Sequence, residues 1–220
     1  MTETELRERV RAIMAGWVGG TRGSEKHREI LNIYNSQPSI PRGYKMQEKD
    51  DWCAATVSAA FLKAGIAPYT GTECSCGAFI TIAKARGIWI EDDAHRPGLG
   101  DAILYDWKDT GVGDDTTGHN HIGIVTEIAG TRFTVTEGNM GNPCKVGRRA
   151  MDVNGKYIRG FICPDYKAIA AALSADSWAQ EAAYRAAHQG VFVGDGKSWR
   201  WDESVTREQL AVILARLGLI

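Results

Sequence analysis

The sequence predicts an α+β domain, N-terminal helices packed on an antiparallel β-sheet, with a small C-terminal helical module behind it. Three observations carry this prediction. Apolar residues recur at helical spacing as far as Gly87; short β-branched and aromatic runs separated by turn residues follow as far as Pro164; beyond Pro164 the composition becomes Ala-rich and helical again. Helices first and strands after is the order of an α+β fold, not of an alternating parallel one. The domain is expected over 1–166 and the module over 167–220.

Leu6, Val10, Ile13, Met14 and Trp17, then Ile30, Leu31 and Tyr34, predict two helices broken by VGGTRG, a packing layer. After the Pro-punctuated SQPSIPRGYKMQEK comes DDWCAATVSAAFLKAG, the clearest helix, with Asp51 as candidate N-cap and Gly65 at its end. TECSCGAFITIAKARGIWI reads as a helix from near Ser75 to Gly87 and then a short extended segment. GDAILYDW, HIGIVTEI, RFTVTEGN and YIRGFICP read as strands, the middle two joined as a hairpin across AGT. DYKAIAAALSADSWAQEAAYRAAHQG, a glycine-rich turn and TREQLAVILARLGLI complete the helical module.

Composition narrows the function. With Lys+Arg 26 against Asp+Glu 27, the formal charge of -1 supplies no global field, so nucleic acid is not an expected partner. Nowhere do eighteen apolar residues follow one another, so membrane insertion is not expected, and MTETELRERVRAIMAGW lacks the apolar run of a signal peptide. A chain made in the cytoplasm without an export signal is the expectation. Five cysteines, an odd number, suit a reducing compartment and leave at least one free thiol as a candidate nucleophile.

Cys53 falls in the first turn of the predicted helix, where unpaired amides and the helix dipole favour an anion and lower a thiol pKa. His121 opens HIGIV on the face of Gly123 and Val125, with Gly123 leaving room beside the imidazole. Pairing the two strands as a hairpin returns Glu137 and Asn139 to His121; two apart on one face, either can accept the imidazole N–H as the third member of a triad. Each residue has a bland reading: a small buried thiol, a strand-end histidine, turn formers around Gly138. Their joint order, helix-start Cys, strand-start His, strand-end acid and amide, favours catalysis.

DDWCAATVSAAF, NHIGIV and VTEGN resemble the three motifs of CHAP domains, the cysteine, histidine-dependent amidohydrolases and peptidases of papain-like fold that cut bacterial peptidoglycan. The resemblance covers about residues 44–164. It implies a papain-like domain with Cys53 as nucleophile, His121 as base, Glu137 or Asn139 as orienting residue, and Tyr44 near the oxyanion. It also implies cleavage of wall amide bonds, by an amidase or endopeptidase, with peptidoglycan as partner. A phage or prophage lysin fits a chain without a signal peptide. Two rivals remain: a non-catalytic wall-binding or phage structural protein, and a papain-like acyltransferase or deamidase.

RGYKMQEKDD has no alternating Asp pattern, and His119, His121, Cys74, Cys76 and Cys144 have no metal-site spacing, so neither metal nor other cofactor is expected. CSC reads as ordinary packing near a helix start, and WKDTGVGDDTTGHN as the wall of a substrate groove. VGDGKS is not a phosphate loop, because five residues, not four, separate Gly190 from Gly196. The segment from SWAQEAAY to LARLG resembles a single S-layer homology motif, a kind that binds secondary cell-wall polymers, usually as three motifs together. That resemblance makes Trp178, Trp199, Trp201 and Arg207 the candidate wall contacts, with self-association or a packing tail as the alternative.

Overall fold

The computed structural model describes residues 1–110, 118–196 and 198–220. The order of elements is α1 (Glu3–Trp17), α2 (Glu25–Asn35), a single 3₁₀ turn (Pro41–Gly43), α3 (Cys53–Ala64), α4 (Ala67–Thr70), α5 (Cys76–Ala85), β1 (Trp89–Ile90), β2 (Ala102–Tyr105), β3 (His121–Ala129), β4 (Arg132–Met140), β5 (Lys145–Asp152), β6 (Ile158–Ile162), α6 (Tyr166–Leu173), α7 (Gln180–His188) and α8 (Arg207–Arg216). The chain forms two compact units, Arg7–Pro164 and a second made of Met1–Leu6 with Asp165–Ile220.

In the first unit the strands form one antiparallel sheet in the order β1-β6-β2-β3-β4-β5, so the fold is α+β. β5 was not among the predicted strands: KVGRRAMD is too charged to read as apolar alternation, yet it pairs along β4 from Asp152 opposite Arg132 to Gly147 opposite Glu137. The hairpin between β3 and β4 turns at Gly130, whose φ of 67° suits glycine. Ile103, Tyr105, Val125, Phe133, Val135, Ile158 and Phe161 pack as a core on the sheet.

α3 is the central helix, with ten of its twelve residues buried. Its Ala-rich surface lets neighbours approach from α2 on one side and β3 and β4 on another. The closest approach is at Gly138, where a Cβ would stand 2.0 Å from the Thr56 hydroxyl; only glycine lets β4 lie against the start of α3. The helix stops at Gly65, left-handed at φ 81°.

A second tie fixes α3 to the segment before α5. The Ser58 hydroxyl donates to the Glu73 carbonyl at 2.6 Å and accepts from the Glu73 N–H at 2.7 Å, both bonds buried. The buried Glu73 carboxylate accepts in turn from the Cys74 N–H (2.7 Å), the Ser75 N–H (3.2 Å) and Arg42 (2.6 Å). Ser75 caps α5 through the Ala78 N–H. The first turn of α5 is thereby held against the second turn of α3.

In the second unit Asp165 caps α6, and α6 packs with α7. Thr206 and Gln209 form a reciprocal capping box at α8, which buries none of its residues. Among the described residues no helix is long and apolar enough to cross a membrane.

Candidate active site

Cys53 is the first residue of α3. The expected cap does not form: Trp52 holds the cap position without a side-chain bond, and Asp51, its side chain 87 % exposed, accepts from the Asn139 amide at 2.9 Å instead. First-turn amides have no acceptor within their own helix and remain to serve an anion. The Ala54 N–H is one of these amides, and it favours the anionic form of the Cys53 sulfur. The thiol is almost wholly buried, 7 % exposed.

His121 opens β3 opposite Tyr105 of β2. Its Nε2 lies 3.1 Å from Glu137 Oε2, which leaves Nδ1 as the nitrogen for Cys53, and the imidazole and the thiol interact so that each favours the ionised form of the other. Gly123 makes the Glu137 arrangement possible, because a Cβ there would come within 2.7 Å of Glu137 Cγ and 2.6 Å of Val135 Cγ1. The room that the sequence reserved for the imidazole is taken by the carboxylate side chain that serves it.

Glu137 is fully buried and fully engaged. Besides His121, its carboxylate accepts from the Tyr105 hydroxyl at 2.6 Å and from Arg149 twice, Nε at 2.8 Å and Nη2 at 3.0 Å. A buried charge with so many charge-assisted bonds is tolerable where an unpaired one would not be. Glu137 and Asn139 do not act interchangeably. The β4–β5 register shifts between Glu137 and Met140, Asn139 adopts φ 57°, and its side chain is tied to Arg22 (3.0 Å) and Asp51. The strand alternation that would return Asn139 to the face of Glu137 is broken by that bulge.

The pKa values follow from this chain of contacts. A hydrogen bond from Cys76 and, against the cost of burial, one from His121 hold the Cys53 thiol well below its ordinary value. Burial would depress His121, but its bonds to Cys53 and Glu137 outweigh burial and raise it to about 9. Burial would likewise raise Glu137, and His121, Arg149 and Tyr105 bring it below the usual carboxylate range. These directions favour thiolate, imidazolium, carboxylate and guanidinium in turn, an order in which each charge faces an opposite one.

The chemistry missed by the sequence reading is in the partners. Cys76, taken as packing, has its sulfur 3.9 Å from that of Cys53. Tyr105 and Trp107 lie at the end of GDAILYDW that meets His121; Trp107 stacks on Tyr105 at 4.7 Å, 40 % exposed, with the Arg149 guanidinium 5.0 Å from its ring centre. An aromatic pair two apart beside a candidate base was the available signal. Trp107, His121, Asn139, Met140, Gly141 and Arg149 line an open cleft of about 250 Å³. The substrate-wall segment WKDTGVGDDTTGHN lies in large part, at 111–117, outside the described residues.

Tyr44 is 43 % exposed, and its hydroxyl donates to Asp50 at 2.9 Å, a bond that occupies the donor expected for an oxyanion. Of the candidate metal ligands, His119 rests its ring against Gly77 at the start of α5, and Cys74 and Cys144 receive Arg42 and Arg22. Among the described residues one trio could offer three ligand atoms, His95, Asp101 and Cys163, with His95 Nε2 3.4 Å from the Cys163 sulfur. Arg7 pairs with Asp101 at 3.1 Å, so the carboxylate already has its counter-charge.

In the second unit Trp178, Trp199 and Trp201 come together around a cavity of about 720 Å³ that Lys167 and Arg200 also line. Trp199 and Trp201 stack at 5.6 Å, and Trp178 is 86 % exposed. Arg207 opens α8, exposed, and is not among that lining. No protein-family model matches this chain, and neither curated proteins nor solved structures give a match.

Proposed function

We propose that this protein is a cysteine amidohydrolase with a papain-like catalytic unit that cuts amide bonds of bacterial peptidoglycan. The observation that carries the proposal is a buried helix-start thiol beside an imidazole whose Nε2 is held at 3.1 Å by a fully buried carboxylate, each of the first two favouring the ionised form of the other. A cysteine packed only for its size has no need of that relay. The choice of peptidoglycan rests on the resemblance of DDWCAATVSAAF, NHIGIV and VTEGN to CHAP motifs.

In this mechanism the Cys53 thiolate attacks the amide carbonyl carbon, and the carbonyl π electrons move to oxygen. The Cys53 N–H, in the first turn of α3 without a partner in its own helix, is the donor for that oxyanion in this proposal. His121 gives its Nδ1 proton to the amine as the carbon–nitrogen bond breaks, leaving a thioester and a neutral imidazole. The imidazole then takes a proton from water, hydroxide adds to the thioester, and the thiolate departs beside a regenerated imidazolium. Glu137 steadies the ring orientation throughout, and Arg149 and Tyr105 steady Glu137. The open cleft beside His121, with Trp107 at its edge, suits a polymer strand better than a small enclosed ligand. Action as a phage or prophage lysin, with the Trp-lined second unit touching a wall polymer, belongs to the same proposal.

The test is digestion of purified Gram-positive peptidoglycan with the protein and with Cys53→Ala, scoring new amino termini and new reducing ends. The expected result is new amino termini without reducing ends, and a loss of roughly 10³-fold or more in rate for the variant. An active Cys53→Ala, or products with reducing ends alone, overturns the proposal.

A further inference from the structure

The nucleophile has a neighbour that the reaction as written does not use. Cys53 and Cys76 are the first residues of α3 and α5, so two helix starts converge on one pair of sulfurs 3.9 Å apart. Both thiols are buried, at 7 % and 8 % exposure, and neither is in a disulfide. Their spacing is maintained by the bonds that join Ser58 of α3 to Glu73 and Glu73 to the backbone ahead of α5.

Resting on the reading of Cys53 as nucleophile, we infer that Cys76 is a positioning residue whose S–H donates to the Cys53 sulfur and holds it as a thiolate. Two adjacent buried thiols cannot both ionise, because the second charge would meet the first at short range in a dry site. His121 settles which one does. The imidazolium lies on Cys53, whereas Cys76 faces the Cys53 sulfur and feels the Asp51 charge, which favours its neutral form. The acceptor that the structure gives the neutral thiol, among the described residues, is the thiolate itself. A proton on Cys76 is a hydrogen-bond donor fixed 3.9 Å from the Cys53 sulfur.

The surrounding charges are accounted for. His121 faces Cys53 from β3, backed by Glu137 of β4 and Arg149 of β5; Asp51 precedes α3; Glu73 and Arg42 stand ahead of α5, where His119 covers Gly77. None of these changes when Cys76 is replaced. The pH dependence of Cys53 reactivity therefore isolates the contribution of the Cys76 thiol, whereas a role in packing alone would move melting temperature and leave that pH dependence in place.

The experiment is alkylation by iodoacetamide from acid to neutral pH, followed by mass spectrometry of the peptide holding Cys53, so that the other cysteines do not interfere. Cys76→Ala and Cys76→Val both remove the donor, the second while keeping volume, and either alone suffices if the other fails to fold. The expected result is a midpoint for Cys53 raised by about one unit in both, which is roughly tenfold slower alkylation below the midpoint. Cys76→Ser, which restores a donor, should return most of that loss. An unmoved midpoint in the folded Ala or Val variant overturns the inference, as does a Ser variant shifted as far as Ala. Because alkylation needs no substrate, a protein that fails to digest peptidoglycan yet shows these shifts refutes the proposed substrate and leaves the role of Cys76 standing.

Discussion

The two units treat polar and apolar groups in opposite ways. Between Arg7 and Pro164 the protein buries ionisable groups, with His121 at 7 % and Glu137 at 0 % exposure, whereas the second unit exposes apolar ones, with Leu219 at 66 % and Ile220 at 77 %. A buried charge is stable only while each partner is in place, so the first unit is intolerant by construction. An exposed leucine costs little and constrains nothing. The second unit accordingly depends on local devices: the Thr206–Gln209 capping box, the Arg216 bond to the Val191 carbonyl at 2.9 Å, and the Trp201 indole N–H donated to the Ala171 carbonyl at 2.9 Å. Chemistry belongs where removal of one atom leaves another unsatisfied.

The sharpest way to break this contrast is Glu137→Ala. The substitution leaves the His121 imidazolium and the Arg149 guanidinium facing a void, and removing one member of a buried charged set costs about 3–5 kcal/mol. Thermal unfolding should fall by roughly 10 °C or more if the first unit behaves as an ordinary domain of its size. Cys53 alkylation should also lose its acid-range component, because the imidazole loses its orienting acceptor. A variant as stable as the parent would show that the alternating charges are not what holds the site.

A smaller effect comes from pH. His121 is raised to about 9, above its unfolded value near 6.5, so its contribution to stability is complete below that unfolded value and is lost as pH rises through about 9. Glu137 is lowered, so its contribution is present above the unfolded carboxylate value and is lost as pH falls. In the proposed mechanism the leaving amine takes the imidazolium proton, so activity should follow the same upper boundary. On the proposed function, amide hydrolysis should decline with one proton lost near pH 9, while melting of the second unit stays level across that interval. A rate that keeps rising past pH 10 would remove His121 as the general acid.

Much of the first unit was legible because its signals are local. The helix-start position of Cys53 and the hairpin that returns Glu137 to His121 each follow from a short stretch with its own periodicity. What was not legible depends on register or on two distant segments meeting. Nothing in VTEGNM announces the bulge that turns Asn139 to Arg22 and Asp51. KVGRRAMD hides a strand because its Arg149 is directed at a buried carboxylate, so the residue that makes β5 functional also spoils its apolar pattern. Asp51 looked like a cap because its type suits one, yet the helix begins one residue later than that role requires. Cys76 could be found only through the Ser58–Glu73 tie between two helix starts, a contact with no periodic signature.

The contrast is sharpened from the other side by Trp201→Phe. This change removes the indole N–H bonds to the Ala171 carbonyl and the Ser174 hydroxyl (3.2 Å) and retains a ring to stack on Trp199. The buried Ala171 carbonyl keeps the Ser174 hydroxyl and N–H as donors, so the lost hydrogen bond costs about 1 kcal/mol. Hydrogen exchange in α6 should quicken by roughly fivefold, the change in opening equilibrium that such a loss produces. The Cys53 alkylation midpoint should not move, because every group that sets it lies between Arg7 and Pro164. A shift in that midpoint would mean that the second unit acts on Cys53, and the contrast between a unit that buries charge and one that exposes apolar groups would not hold.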